Sequence, residues 1–359
     1  MKRQIMELLG QIAIAGELPS KAVKRIRGSD GYKRKCIMEA RQKNLIRHFR
    51  KDGLSGLRLT AEGKDLLLRT SPERFDFFLK DGSKASSGAQ KRTRLHRMAE
   101  AYVLMNNAGV EIYRDRKPPL FSAGEAVPVR FSAYYGSREV KELGQESVKI
   151  KNSRFVGVLV TPDQLFAVYN AGPGQMKWYG QAEERLACSL PRVLQRQGAF
   201  ASGRKVETKG ILLAGSMERF HLFLDDPERK AAFPIDNGQF WNMHWIPNSE
   251  EGETVLGLLC SPEKTALLTE ALQKNFPPLP IGQRNMEMDA VDEAGNPVLF
   301  AYDMDAARIR RFAVSLRVNG GCGKVICFDF QRELVERLCE NCAQVLELDW
   351  KAIREDLNV

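Results

Sequence analysis

The sequence predicts an α+β / α/β protein: a small N-terminal module of helices and a β-hairpin, then a larger mixed α/β domain. Three observations carry this. Apolar residues in the first 44 positions recur at helical spacing, then give way to two short alternating runs joined by Asp52-Gly53. From about residue 118, apolar runs of strand length interleave with amphipathic helical stretches. The charge is also split: residues 1–60 hold 15 Lys and Arg against 5 Asp and Glu, and the rest holds 40 of each sign.

All of the net charge of +10 therefore lies in the first sixth of the 359 residues. A small basic module on a neutral body is the electrostatic footprint of nucleic-acid binding. Apolar residues make up 43% and charged residues 28%, which argues against disorder. The chain lacks the roughly 18 consecutive apolar residues that a membrane span needs, and Glu7 and Glu17 interrupt any signal-peptide pattern. The seven cysteines are odd in number and scattered, so reduced thiols in a cytoplasmic protein are expected.

Within the basic module, residues 2–14 place Ile5, Leu8, Leu9 and Ile12 on one helical face, and Gly16 stops that helix. Residues 20–27 read as a short second helix, with Ser20 at its N-cap and Ala22, Val23 and Ile26 inward. Gly28 ends it, and Ser29 or Asp30 caps a third helix from Gly31 to about Asn44. At 100° per residue, Cys36, Ile37 and Ala40 share one side of the third helix. Arg34, Lys35 and Met38 lie broadly opposite, with Arg41 on the flank. A short helix, a tight turn and a basic helix make a helix-turn-helix. Lys33, Arg34 and Lys35 stand in the N-terminal half of the third helix, from which long donors reach base edges and phosphates. The Leu45–Leu59 hairpin then reads as the wing of a winged helix, with Arg47, Arg50, Lys51 and Arg58 suited to phosphate contact. Thr60 is a candidate N-cap for a closing helix.

Residues 73–90 end in a Gly/Ser-rich polar stretch and read as a flexible linker, followed by a connecting helix from about Lys91 to Asn107. The expected organisation is 1–72 as a winged-helix DNA-binding domain, 73–117 as linker and connecting helix, and 118–359 as the mixed α/β domain. Strands are expected at 155–160, 165–169, 211–214, 220–224, 254–259, 298–301 and 325–328. Helices are expected at 137–143, 181–195, 262–274, 305–311 and 331–342.

Catalytic signatures are weak. Asn319–Val325 lacks the first glycine and the hydroxyl residue of a phosphate loop and precedes a strand. Cys322, Cys327, Cys339 and Cys342 have a spacing that could hold zinc, but small core cysteines are commoner. Glu287 with Asp289, and Asp303 with Asp305, are possible magnesium carboxylates or solvated hairpin edges. No cofactor or metal is expected.

The winged helix ending in Leu59-Thr60-Ala61-Glu62-Gly63, the helix Arg94–Ala99 and the α/β remainder resemble the replication-relaxation family of plasmids and conjugative elements. That resemblance implies a winged helix joined to a restriction-endonuclease-like domain. It also implies a role in replication or transfer initiation, with double-stranded DNA and a relaxosome or replication protein as partners. In such a core a Pro-Asp on a turn precedes a strand bearing Glu and Asp. Pro162-Asp163 fits, but Tyr169 and Asn170 stand where the acids are expected, leaving only Glu183 or Glu184 to substitute. The body therefore reads as a degenerate scaffold without cleavage activity. The alternatives are a metal-dependent DNA nuclease or relaxase, and a winged-helix regulator whose body senses a ligand.

Overall fold

The computed structural model describes residues 3–80, 88–122, 127–144, 147–148, 151–172, 176, 178–201, 204–224, 240–279 and 287–359. It is a mixed α+β protein built on three sheets.

The N-terminal module runs α1 (Arg3–Ala15), β1 (Leu18–Pro19), α2 (Ser20–Arg25), α3 (Asp30–Gln42), β2 (Ile46–Lys51), β3 (Leu54–Leu59) and α4 (Ala61–Thr70). Its antiparallel sheet has the order β1-β3-β2. The apolar face of α1 (Ile5, Leu8, Leu9, Ile12) is fully buried or nearly so, as its spacing predicts. Ser29 caps α3 by accepting the Tyr32 amide. At the head of α2 the N-cap is Pro19, and Ser20 instead meets the Ser55 hydroxyl of the hairpin at 3.0 Å.

The Leu-Thr-x-x-Gly run has a local mechanism. Thr60 Oγ1 accepts the Gly63 amide at 3.1 Å and donates to the Asn44 carbonyl, while the Thr60 amide donates to the Leu45 carbonyl. A Cβ on Gly63 would lie 2.1 Å from that same Leu45 oxygen. The motif thus clamps the head of α4 onto the α3–β2 turn through a backbone contact that cannot yield. Gly63→Ala should cost about 1–3 kcal/mol, the usual penalty for overpacking. It would be read as a lower urea midpoint at unchanged m-value.

Next come α5 (Pro72–Leu79) and α6 (Ala89–Asn107). The expectation of a flexible linker over 73–90 is corrected on both flanks. Pro72 starts α5, which buries Phe75 and Phe78, and α6 begins at Ala89. Residues 81–87, which include most of the Gly/Ser-rich stretch, lie outside the described residues. The body continues with β4 (Ala133–Gly136), α7 (Ser137–Val140) with a 3₁₀ turn at Lys141–Leu143, β5 (Gly157–Val160), β6 (Leu165–Gly172), α8 (Gly180–Arg196), β7 (Thr208–Ala214), α9 (Glu218–Leu224) and β8 (Met243–Pro247). These strands form a sheet of order β4-β5-β6-β7-β8, antiparallel from β4 to β6 and parallel from β6 to β8. After α10 (Glu250–Leu259) and α11 (Pro262–Gln273) come β9 (Ala290–Val291), β10 (Pro297–Phe300), α12 (Ala306–Asn319), β11 (Gly323–Phe328), α13 (Arg332–Leu338), β12 (Ala343–Leu348) and α14 (Trp350–Leu357). The third sheet has the order β12-β11-β10-β9, parallel except at β9.

Two expected strands are helices. Residues 254–259 belong to α10, which is buried on every side from Gly252 to Leu259 and so shows no polar face. Residues 220–224 belong to α9, where apolar and polar residues alternate although Leu222 faces solvent.

One hydrophobic core runs from Leu8 and Ile12 of α1 through Ala99, Tyr102 and Val103 of α6. It continues to Phe166 and Val168 of β6 and Val255 of α10. Helix α6 is thus a shared wall of module and body. A second core lies on the opposite face of the five-stranded sheet, against α8, α12 and α13.

Candidate nucleic-acid interface

Strand alternation and burial sort the cations of the N-terminal module into different jobs. On α3, Arg34, Lys35, Met38 and Arg41 face solvent while Cys36 and Ala40 are buried, as the helical period requires. Met38 is 60% exposed and stands among the cations as the one bulky apolar side chain of that face. None of Arg34, Lys35 and Arg41 has a hydrogen-bond or ion-pair partner through its side chain among the described residues. Lys33 is different: it pairs with Asp30 at 2.9 Å and donates to the Lys24 carbonyl at 2.5 Å, so it braces α3 against α2.

In the hairpin, Arg47, Phe49 and Lys51 share one face of β2, and His48 and Arg50 share the other. Asp52 and Gly53 both adopt positive φ, the conformation that a tight hairpin turn demands. Arg47, Arg50 and Lys51 are exposed. Arg58, expected as a phosphate contact, is only 3% exposed and is not available to DNA. It stands opposite Arg47 on β3 and donates to Glu17 Oε2 from Nε at 2.9 Å and from Nη2 at 2.6 Å.

Glu17 is the centre of a buried ionic cluster. Besides Arg58 it receives Arg92 Nη2 at 2.6 Å on Oε1, and His96 Nε2 lies 2.8 Å from the same oxygen. Both come from α6. Burial alone would raise the Glu17 carboxyl, but its bonds to His96, Arg92 and Arg58 outweigh that and hold it well below the usual carboxylate range. Gly56 makes the space, since a Cβ there would lie 2.7 Å from Glu17 Oε1. Arg92 also donates to the carbonyls of Lys51 at 2.6 Å and Leu54 at 3.2 Å, and both guanidinium groups lie over the Phe49 ring. The hairpin tip is therefore pinned to the body. So is α2: Arg25 pairs with Glu253 of α10, and Arg27 donates to the Asn107 carbonyl at 2.6 Å.

Sequence reasoning missed a second set of cations. A groove of about 950 Å³ lies between the module, α6 and α7. Lys64, Lys91, Arg94, Arg138 and Lys141 line it beside Arg47 and the Glu17-paired Arg58, both already expected as phosphate contacts, and no carboxylate does among the described residues. The run Lys91-Arg92-Thr93-Arg94 was the available signal, hidden because the charge of residues 61–359 sums to zero.

Several carboxylates of the body are spent on internal contacts. Asp289 accepts Arg308 Nη2 at 2.7 Å and the Phe300 amide at 2.7 Å, and Glu287 accepts Arg311 Nε at 3.0 Å. Asp305 caps α12 and accepts the Met243 amide at 2.9 Å. Asp163, Glu270, Asp289 and Asp303 line one cavity of about 590 Å³ with Lys209 and His244. Lys209 there donates to Gln164 at 2.9 Å, and His244 Nδ1 lies 3.1 Å from the Asp303 carbonyl. Glu183, the candidate substitute acid, is locked by Ser153 at 2.5 Å, Tyr169 at 2.8 Å and the Arg154 amide at 2.8 Å, and burial raises its pKa. Glu184 is exposed. Cys327 and Cys339 are buried, and burial pushes the Cys339 thiol up to about 12. Among the described residues no group of three or more His, Cys, Asp or Glu side chains could hold a metal ion. No helix among them is long and apolar enough to cross a membrane.

Compared with family models, curated proteins and solved structures, the chain matches none.

Proposed function

We propose that the chain is a sequence-directed DNA-binding protein whose first 70 residues act as a winged helix, with α3 as the recognition helix and the β2–β3 tip as the wing. The observation that carries this is the sorting of the cations. Arg25, Arg27, Lys33 and Arg58 are spent on internal contacts. Arg34, Lys35, Arg41, Arg50 and Lys51 are exposed and have no side-chain partner among the described residues. Folding does not need that surface, and duplex phosphates do. The order α1-β1-α2-α3-β2-β3 with the β1-β3-β2 sheet supports the winged-helix reading. A membrane-surface role would want several bulky apolar side chains on this face, and it has Met38.

The resemblance to replication-relaxation proteins supports a mobile-element role: assisting replication or transfer initiation, or repressing the element's genes. The body would then be an endonuclease-like scaffold that binds a relaxosome or replication protein. The β4–β6 meander continued across α8 by parallel β7 supports that scaffold. A nuclease or relaxase reading draws on the cavity shared by Asp163, Asp303 and Lys209, but among the described residues no group of three or more His, Cys, Asp or Glu side chains could hold a cation there.

The experiment is a competition between a selected duplex site and random duplex. Arg34→Ala, on the outer face of α3, should relax base preference. Lys51→Ala at the wing tip should weaken all duplexes about equally, because base contacts specify and phosphate contacts position. Equal losses for every sequence in both variants would refute this division of labour.

A further inference from the structure

The groove between the N-terminal module and the body is not part of the α3 surface. Arg47 points to it from the hairpin face opposite Arg50, Lys64 comes from α4, and Lys91 and Arg94 come from α6. Arg138 and Lys141 come from α7 and the turn after it. Besides Arg58, which is paired with Glu17, six cations thus converge from five elements, with no carboxylate among the described lining residues. Arg94 and Lys141 have no side-chain partner among the described residues either. Burial lowers the pKa of both, and Arg94 lowers Lys141 further by repulsion. The fold thus holds like charges together in a partly desolvated place, an arrangement that a bound anion would relieve.

The shape narrows the class of anion. Ile12, Leu79, Leu95 and Met98 give the groove an aliphatic floor beneath the cationic rim. At about 950 Å³ and partly open to solvent, it is larger than a single phosphate needs. A duplex, whose major groove itself admits a whole helix, is too broad to seat in it. A single strand offers phosphates to a rim and base faces to a floor at once, the combination that single-strand channels use.

We propose that this groove binds single-stranded nucleic acid, as a site separate from the duplex-reading surface of α3. The inference stands without the duplex reading, since none of its determinants lies on α3.

The test uses the full chain and a fluorescent ten-nucleotide oligo(dT), read by anisotropy, beside a short duplex. The variant is Arg94→Glu with Lys141→Glu. Both side chains keep solvent access in the groove, and a urea midpoint equal to wild type establishes that the variant is folded. Arg94→Ala alone serves as a milder second variant. The expected result is at least a tenfold loss for oligo(dT) in the double variant and a smaller loss in Arg94→Ala, with duplex affinity within about twofold of wild type. Arg34→Ala should show the converse. Unchanged oligo(dT) affinity in the folded double variant would overturn the proposal. So would equal losses for oligo(dT) and duplex, which would make the groove an extension of the duplex surface. Displacement of oligo(dT) by tripolyphosphate at equal phosphate concentration would also overturn it, because bases would then contribute nothing. Failure of the α3 reading is distinguishable: duplex binding would be absent or insensitive to Arg34, whatever oligo(dT) does.

Discussion

Glu17→Gln should destabilise the protein by about 3–5 kcal/mol, the usual cost of removing one partner from a buried ion pair. The substitution barely changes volume, so packing is not the cause. It leaves Arg58 and Arg92, both almost wholly buried, facing a neutral amide, and it weakens the link between β3 and α6. Arg34→Ala, on the solvent face, should stay within about 0.5 kcal/mol of wild type. The comparison is made by urea unfolding of the full chain. The pH dependence has a definite sign. The folded-state pKa of Glu17 lies below its ordinary 4.5, so its contribution is fully present above that value and is lost as pH falls below it. Wild-type stability should therefore drop more between pH 5 and pH 2 than that of the Gln variant. Equal midpoints for wild type and Glu17→Gln at pH 7 would mean that the cluster does not hold module and body together.

That cluster marks where the sequence was legible and where it was not. The helices and hairpin of the first 70 residues were readable because each has an unbroken local signal: the α1 stripe, Gly16 and Gly28 as stops, Asp52-Gly53 as the turn. The outer face of α3 followed from angular spacing alone. Arg58 was misplaced for a physical reason. Strand alternation puts it on the same face as Arg47, but nothing local says that Glu17 and, 75 positions beyond it, Arg92 cover that face. The contacts between module and body were hidden in the same way, because α6 presents Arg92 and His96 to Glu17 only after the chain has folded back. In the body, α10 was hidden by burial on all sides, although Ser249 and the acidic first turn at Glu250, Glu251 and Glu253 marked its start. The cations of the groove come from elements far apart in sequence, and the neutral sum over residues 61–359 masked them.

The second large effect concerns duplex DNA. Arg34→Glu combined with Lys35→Glu should reduce duplex affinity by about a hundredfold or more, since each such contact contributes roughly 1–3 kcal/mol and each 1.4 kcal/mol is tenfold. Both side chains are exposed and without partners among the described residues, so folding should be unaffected. The most direct measurement is a salt series of duplex binding by the full chain and by this variant. If Lys35, Arg41, Arg50 and Lys51 each meet a phosphate while Arg34 reads bases, the wild-type plot of log affinity against log salt should fall with a slope of about −3.6, and the variant's slope should be shallower by about 1. A flat wild-type response, or identical slopes and affinities for the two proteins, would contradict DNA binding through this surface.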